Sequence, residues 1–266
     1  MENRSDISAA RPLLSVAVIA RNEADRVEGL LDSVAIADEV VFVDSGSTDG
    51  TIEICRFRGA RVIEQEWLGY AKQKQLAMEQ AQGEWILSLD ADELLSPEAA
   101  LEIVQAVKSA GPDVAAFSIP RLSRYLNRWI RHGGWYPDRK VRLVRRGHGL
   151  WVGDGLHEKL EVTGTVRELN SPLLHYVYRD ISDQVRTINR FSTVFAENRP
   201  RAGSSAYLLL GVFHAAMKFV ECAIWKLGIL DGLPGLVIAV NSAFYVFLKH
   251  AKAWERGLPK VEGPHG

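Results

Sequence analysis

Cysteine is nearly missing from this chain: Cys55 and Cys222 are its only two, far apart in sequence. That excludes a disulfide framework and a cysteine-built zinc site, and a reducing compartment is the simpler expectation. Net charge is also missing. The 32 Lys and Arg nearly cancel the 33 Asp and Glu, leaving −1, so there is no global case for nucleic acid binding. There is no G-x-G-x-x-G and no G-x-x-x-x-G-K-[ST], so a dinucleotide oxidoreductase and a P-loop NTPase lose their main support. Internal repeats and low-complexity tracts are absent. No secretory leader is expected, because the first apolar stretch, Leu13–Ala20, is short and runs straight into Arg21-Asn22-Glu23.

What is present is a core. The chain has 266 residues, 47% of them hydrophobic, enough for one large domain or two small ones. In the first half apolar strands alternate with helical spacing. Strands are expected at Ser15–Ala20, Glu39–Val43, Arg61–Glu64, Glu84–Leu89 and Val114–Ile119. Helices are expected at Ala24–Ala35, Thr48–Arg58 (capped by Ser47 or Thr48), Gly69–Ala81 and Pro97–Ser109. Such alternation implies βαβ crossovers and a mostly parallel sheet with helices on both faces. Ligands of such sheets bind at the carboxyl ends of the strands, which directs attention to loops 20–25, 44–49 and 90–93.

Residues 121–146 carry nine Arg and Lys against one acid, Asp138, with Trp129, Trp135 and Tyr136 interleaved. Such a segment suits phosphates of an anionic acceptor or anionic lipid head groups; the competing reading is a solvated face balanced by acids elsewhere. Short strands separated by glycines are expected over 140–177. The end is helical: an amphipathic helix at Ile181–Asn198, then long apolar helices at Ala206–Leu230 and Leu233–Ala253. Neither of the last two supplies ~18 uninterrupted apolar residues, so a hairpin packed on the protein or lying in a membrane interface is expected rather than a spanning pair.

Asp90-Ala91-Asp92-Glu93 follows the apolar strand Trp85–Leu89. Carboxylates at i and i+2 past a strand end can converge on one hard cation such as Mg²⁺, which prefers carboxylate and phosphate oxygens. The plainer reading is an acidic loop capping the next helix. Asp44, at the end of Val40–Val43 and before Ser45-Gly46-Ser47-Thr48-Asp49-Gly50, can hydrogen-bond a ribose or base edge, whereas Asp49 reads as an ordinary helix cap. Ala20-Arg21-Asn22-Glu23 reads on spacing alone equally well as a polar turn.

Three segments in order, "SVAVIARNEADRV", "VVFVDSGSTDGT" and "AQGEWILSLDADE", resemble the nucleotide-sugar glycosyltransferases of family 2, over about residues 13–120. "WYPDRKVRLVRR", "GLHEKL", "LLHYVYRD" and "LDGLPG" further resemble the branch that contains lipopolysaccharide-core heptose β-1,4-glucosyltransferases. The resemblance implies a GT-A fold. It divides the chain into a donor-binding half at 1–120, an acceptor-binding half at 121–180 and a membrane-associating helical extension at 181–266.

The resemblance also implies roles. Ala20, Arg21 and Glu23 line the base pocket and Asp44 contacts the uracil or ribose. Lys74 stands where many relatives carry an arginine that contacts the donor. Asp90 and Asp92 hold a divalent metal, Mg²⁺ or Mn²⁺, on the donor diphosphate. The reaction inverts the anomeric centre, so a carboxylate must act as general base. Relatives place it in a Glu-Asp pair that is absent here. The nearest counterpart is Glu158 in Gly155-Leu156-His157-Glu158, with Asp138 and Asp154 as competitors. Arg139, Arg142 and His157 are expected on the acceptor side, while His157 and His175, as lone histidines, also fit structural roles. The implied activity is hexose transfer, glucose from UDP-glucose, to a lipid-linked or lipopolysaccharide-core saccharide at the cytoplasmic face of the inner membrane. A nucleotidyltransferase and a non-catalytic membrane-associated scaffold are the alternatives; an Asp-x-Asp-x-[ST] phosphatase is disfavoured because Leu94 occupies the hydroxyl position.

Overall fold

The structure, a computed structural model, describes residues 13–153, 158–199 and 203–259. The chain forms two compact units: Met1–Arg121 with Arg139–His175, and Leu122–Asp138 with Tyr176–Gly266. The basic segment is thus shared out, its first part going with the C-terminal helices.

The first unit opens with the alternation the sequence implies. In order come β1 (Leu14–Ala20), α1 (Ala24–Ser33), β2 (Glu39–Asp44), α2 (Thr51–Phe57), β3 (Arg61–Glu64), α3 (Tyr70–Gln80) and β4 (Trp85–Asp90). Then follow β5 (Glu93–Leu95), α4 (Pro97–Ser109) and β6 (Val114–Tyr125), whose last residues pass into the second unit together with β7 (Arg128–Trp129). The chain returns as β8 (Asp138–Arg145), β9 (Gly149–Val152), β10 (Lys159–Val162), β11 (Thr165–Glu168) and β12 (Leu173–His175).

The sheet runs β3-β2-β1-β4-β8-β6-β12-β5. Pairing is parallel from β3 to β4 and turns antiparallel at β8 against β4 and at β12 against β5. The sheet is therefore parallel where crossover helices exist and mixed beyond. Val16, Val18, Phe42, Leu87 and Leu89 bury into one apolar cluster, and Ala17, Val41, Val43 and Ile86 into another. Strands covered on both faces read as unbroken apolar runs, which is why these were legible. On α1, Val27, Leu30 and Leu31 follow helical spacing and are buried, as is Val34 at its C-cap. Ser96 caps α4 by accepting from the Ala99 N–H at 3.1 Å, with Pro97 in the first turn.

One boundary differs. The helix expected from Thr48 begins at Thr51, because residues 46–50 are held out of helical form by Asp44 and Asp49. Gly50, at φ 92°, precedes the helix in the left-handed region that glycine tolerates.

The second unit holds α5 (Ile181–Glu197), α6 (Ser205–Val220) and α7 (Gly232–Glu255). One π-turn (Glu221–Trp225) and one 3₁₀ turn (Gly228–Asp231) join α6 to α7. Asp231 organises this corner. Its Oδ2 accepts from the N–H groups of Arg131 (3.1 Å) and His132 (2.8 Å), and its Oδ1 lies 3.0 Å from His132 Nδ1. The "LDGLPG" segment is thereby structural. Its glycines permit close approach: a Cβ on Gly235 would lie 1.9 Å from the Gly228 carbonyl oxygen. Gly235→Ala is therefore expected to lower the melting temperature by several degrees, since overpacking costs about 1–3 kcal/mol; thermal unfolding followed by circular dichroism checks it, and an unchanged melting temperature would contradict this packing. By length and composition, Ser205–Trp225 and Gly228–Glu255 are each apolar enough to cross a membrane. The sequence reading, which asked for an uninterrupted apolar run, disfavoured spanning by the corresponding segments, Ala206–Leu230 and Leu233–Ala253.

Candidate functional site

Pairing fixes the site. Ala20 on β1 is in register with Asp44 on β2, and Ile19 with Asp90 on β4, so Asp44, Ala20 and Asp90 lie side by side at the carboxyl edge. Strand spacing puts Asp44 and Asp90 about 10 Å apart.

The first two loops are stapled together. Asp44 Oδ1 accepts from the N–H groups of Gly46 (2.8 Å) and Ser47 (2.7 Å), and its Oδ2 from the Ser47 hydroxyl. Ser47 Oγ accepts from the Asn22 N–H (2.8 Å), and Asn22 Oδ1 from the Thr48 N–H (2.8 Å). Asp49 accepts from the N–H groups of Ala24 and Thr51, both at 3.1 Å. Asp49 is thus a cap, as the sequence reading held: it takes the first N–H of α2 and, from another loop, the first N–H of α1. Asn22, at φ 56°, takes the left-handed turn. Much of "ARNEA" and "DSGSTDGT" builds the rim. Ala20 is buried within it, Arg21 is exposed, and Glu23 lies 3.6 Å from Arg26.

The charged centre surrounds Asp90. Its Oδ1 is 2.7 Å from Lys74 Nζ and its Oδ2 is 2.7 Å from Arg142 Nη2. Arg142 Nη2 also binds Glu93 Oε1 (2.8 Å), which Arg121 approaches at 3.2 Å. Lys74 Nζ lies 3.4 Å from Glu158 Oε1 and 4.7 Å from the centre of the Trp151 ring. Lys74, Asp90, Arg139, Arg142, Trp151 and Glu158 line a pocket of about 470 Å³. Two buried donors in its wall, Arg142 Nε and Trp151 Nε1, have no hydrogen-bond partner among the described residues. Native structures seldom leave such groups unsatisfied, so an anion is a suitable occupant. A larger pocket, about 590 Å³, opens beside Asp38 and Glu39. That is the amino end of β2, away from the edge where such sheets bind ligands.

Burial pushes the Asp90 carboxyl up, but Arg142 and Lys74 outweigh it and hold it well below the ordinary carboxylate range. Burial opposes the Arg142 charge, while Glu93 and Asp90 raise its pKa further above that of free arginine. For Asp90 the linkage sign is that of a depressed acid: its stabilising contribution is present above the unfolded carboxyl pKa of about 3.9 and is lost as pH falls through the lower folded value. The stability gap between the wild type and Asp90→Asn should therefore be widest near neutrality and shrink below about pH 4, as urea unfolding across pH would reveal. A gap independent of pH would contradict the assignment. Burial, with the Asp44 charge, pushes the Cys55 thiol up to about 12, so Cys55 is core, not nucleophile.

Asp92 differs from Asp90. Among the described residues its Oδ2 has only long contacts, the Arg26 guanidinium at 3.7 Å and His175 Nε2 at 3.5 Å. Among the described residues no group of three or more metal-ligating side chains is assembled. A donor set of one carboxylate nonetheless suits a hard cation whose other ligands are diphosphate oxygens and water, so Asp92 fits a metal better than the doubly ion-paired Asp90.

The structure brings Lys74, Asp90, Arg139, Arg142 and Glu158 together in one pocket. His157 and Asp154 lie outside the described residues. Arg142, expected to face an acceptor, is only 3% exposed and tied to acids of the metal-strand loop. Arg139 binds Glu168 (3.2 Å) and the Leu169 carbonyl (2.9 Å). With Arg121–Glu93 and Arg145–Glu84, at least four of the nine basic residues in 121–146 meet acids outside that segment. Sequence reasoning missed Trp151, Arg121, Arg26 and the ion-pairing role of Glu93. A signal existed for Lys74: it interrupts the buried row Ala71, Lys74, Ala77 and Met78 on α3.

The fold is GT-A, and residues 15–156 match the family model described as Glycosyl transferase family 2. The chain belongs to that family and is a glycosyltransferase. It is 28% identical over 259 residues to the lipopolysaccharide core biosynthesis glycosyltransferase LpsC of Rhizobium meliloti, covering 93% of this chain and 94% of that one. An uncharacterized glycosyltransferase of Rickettsia prowazekii is 30% identical over 264 residues, covering 92% and 88%. Among solved structures, mannosyltransferase PcManGT from Pyrobaculum calidifontis, in complex with GDP-Man and Mn2+, shares the fold at a TM-score of 0.53. It is 19% identical and is matched over 92% of this chain and 88% of that one.

Proposed function

We propose that this glycosyltransferase moves a hexose, glucose from UDP-glucose, with inversion onto an anionic saccharide acceptor of the lipid-linked or lipopolysaccharide-core class. It would work at the cytoplasmic face of the inner membrane with peripheral membrane contact. The observation that carries this reading is the convergence of Asp90, Lys74 and Glu158 in one pocket at the carboxyl edge of the sheet. The similarity to LpsC along nearly the whole chain supports the acceptor class. The surplus of cations in the pocket wall and its two orphaned donors support an anionic occupant.

In this reading Ala20, Arg21, Glu23 and Asp44 bound the nucleoside, and Lys74 and Arg142 face the diphosphate. Glu158 takes the proton of the acceptor hydroxyl as that oxygen bonds to the anomeric carbon. The carbon–oxygen bond to the diphosphate breaks on the opposite face, and the nucleoside diphosphate leaves with the electron pair. Asp92, with Asp90 beside it, would hold a divalent cation, which when bound neutralises charge on the leaving diphosphate. Arg139 and His157 are assigned to the acceptor. Residues 1–120 supply the donor side, 121–180 the acceptor side and 181–266 the membrane-associating part.

A panel of nucleotide sugars screened by thermal shift with Mn²⁺, followed by turnover on purified lipid-linked acceptors, tests this. UDP-glucose should give the largest shift, and EDTA should abolish transfer until Mn²⁺ or Mg²⁺ is returned. Full turnover in excess chelator would remove the metal from the proposal, and equal shifts with all donors would remove glucose.

A further inference from the structure

Between α6 and α7 the chain places six large apolar side chains within ten residues, all exposed: Ile224, Trp225, Leu227, Ile229, Leu230 and Leu233. Trp225 is 65% and Leu233 77% exposed. A soluble surface rarely gathers so much apolar area at one point. The corner is built of a π-turn and a 3₁₀ turn, not an irregular loop. Its inner side is closed by Gly228 and Gly235 and by Asp231, which is tied to the Arg131 and His132 backbone. Leu227 stands at φ 55°, where Gly or Asn would be unstrained. Its side chain is held outward all the same.

Basic groups ring the corner. Arg128 Nη2 donates to the Leu230 carbonyl at 3.1 Å, and the residue is exposed. Arg131, also exposed, is tied to the corner through its backbone N–H, which donates to Asp231, with its guanidinium 6.0 Å from the centre of the Tyr136 ring; Lys226 sits within the apolar run, paired with Glu221. The apolar row continues along α7 at Leu236, Val240 and Phe244, each exposed and at helical spacing. A second copy of the chain would bring the same arginines into opposition. A bilayer carrying anionic lipid accepts apolar side chains, an interfacial tryptophan and flanking cations together.

We infer that the corner Ile224–Leu233, rimmed by Arg128, Arg131 and Lys226, is the surface that inserts into an anionic bilayer. This deepens the membrane contact proposed above by naming the surface and the lipid charge. Its test reads binding, not sugar transfer, so its failure would leave the transferase reading standing.

The test is flotation of the full-length protein with phosphatidylcholine vesicles, with or without phosphatidylglycerol. The wild type should float with the phosphatidylglycerol vesicles, less with pure phosphatidylcholine, and less again in high salt. Trp225→Asp with Leu233→Asp should cut flotation at least tenfold while keeping the wild-type circular dichroism spectrum. Phe57→Asp, an exposed apolar residue of the other unit, should float as the wild type does. If the double variant misfolds, Arg128→Glu with Arg131→Glu serves, and should lose the dependence on phosphatidylglycerol. Undiminished flotation of a folded double variant would overturn the assignment. So would a wild type that ignores vesicles and forms a dimer, by light scattering, that the double variant splits.

Discussion

Asp90→Ala is expected to abolish detectable sugar transfer and to lower folding stability by about 3 kcal/mol. Both effects follow from what surrounds the carboxylate. Removing one partner of a buried ion pair usually costs about 3–5 kcal/mol, because the other charge is stranded. Asp90 keeps a quarter of its side-chain surface open, and Arg142 retains Glu93 at 2.8 Å, which places the cost at the lower end. The catalytic effect comes from Lys74. With Asp90 gone, its ammonium is free to close the 3.4 Å gap to Glu158. The existing Lys74–Glu158 pair would then tighten, and an undivided cation there would make the carboxylate a poorer base. Adding Lys74→Met to Asp90→Ala should restore part of the stability by removing a buried cation that has lost one of its two carboxylates, without restoring transfer. Urea unfolding and a radiolabelled transfer assay read the two effects separately. A variant that is as stable and active as the wild type would show that the network has no role in either.

The second large effect is expected from Glu158→Gln. The amide keeps the shape of the side chain but cannot take a proton. A positioned general base contributes typically 10²–10⁴-fold, so kcat should fall by about that factor. Binding of the nucleotide donor should stay within about twofold, because the change spares Asp92 and the loops at Asn22 and Asp44. Single-turnover assays at saturating donor, with calorimetric donor titration alongside, separate the two. A small loss in kcat would move the base to Asp138 or Asp154.

What could be read from the sequence, and what could not, follows from the range of the forces involved. β1, β2 and β4 are continuous apolar runs covered on both faces, and local pattern suffices to find them. The aspartates at the strand ends were visible for the same reason, since they are the first charges after buried strands. The short β5, over Glu93–Leu95, was not visible, because three residues carry no period and it exists by pairing with β12. The burial of Arg142 was not visible, because an arginine in a basic run looks solvated. Its burial depends on Asp90 and Glu93, some fifty residues earlier. Trp151 went unnoticed because its role, lying beneath Lys74, arises only when β9 meets α3. The stapling of loop 44–51 to loop 20–24 likewise links side chains to backbone groups about 25 residues away. In each case the local part was legible and the long-range partner was not.

The most direct measurement is the affinity of UDP with and without Mn²⁺, by calorimetry, for the wild type and for Asp92→Asn. The wild type should bind UDP markedly more tightly with the ion, and Asp92→Asn should lose that gain while binding UDP alone as before. Equal Mn²⁺-dependent affinity in the two proteins, or UDP binding by the wild type that is indifferent to chelator, would contradict a cation held by the Asp90-Ala91-Asp92 turn.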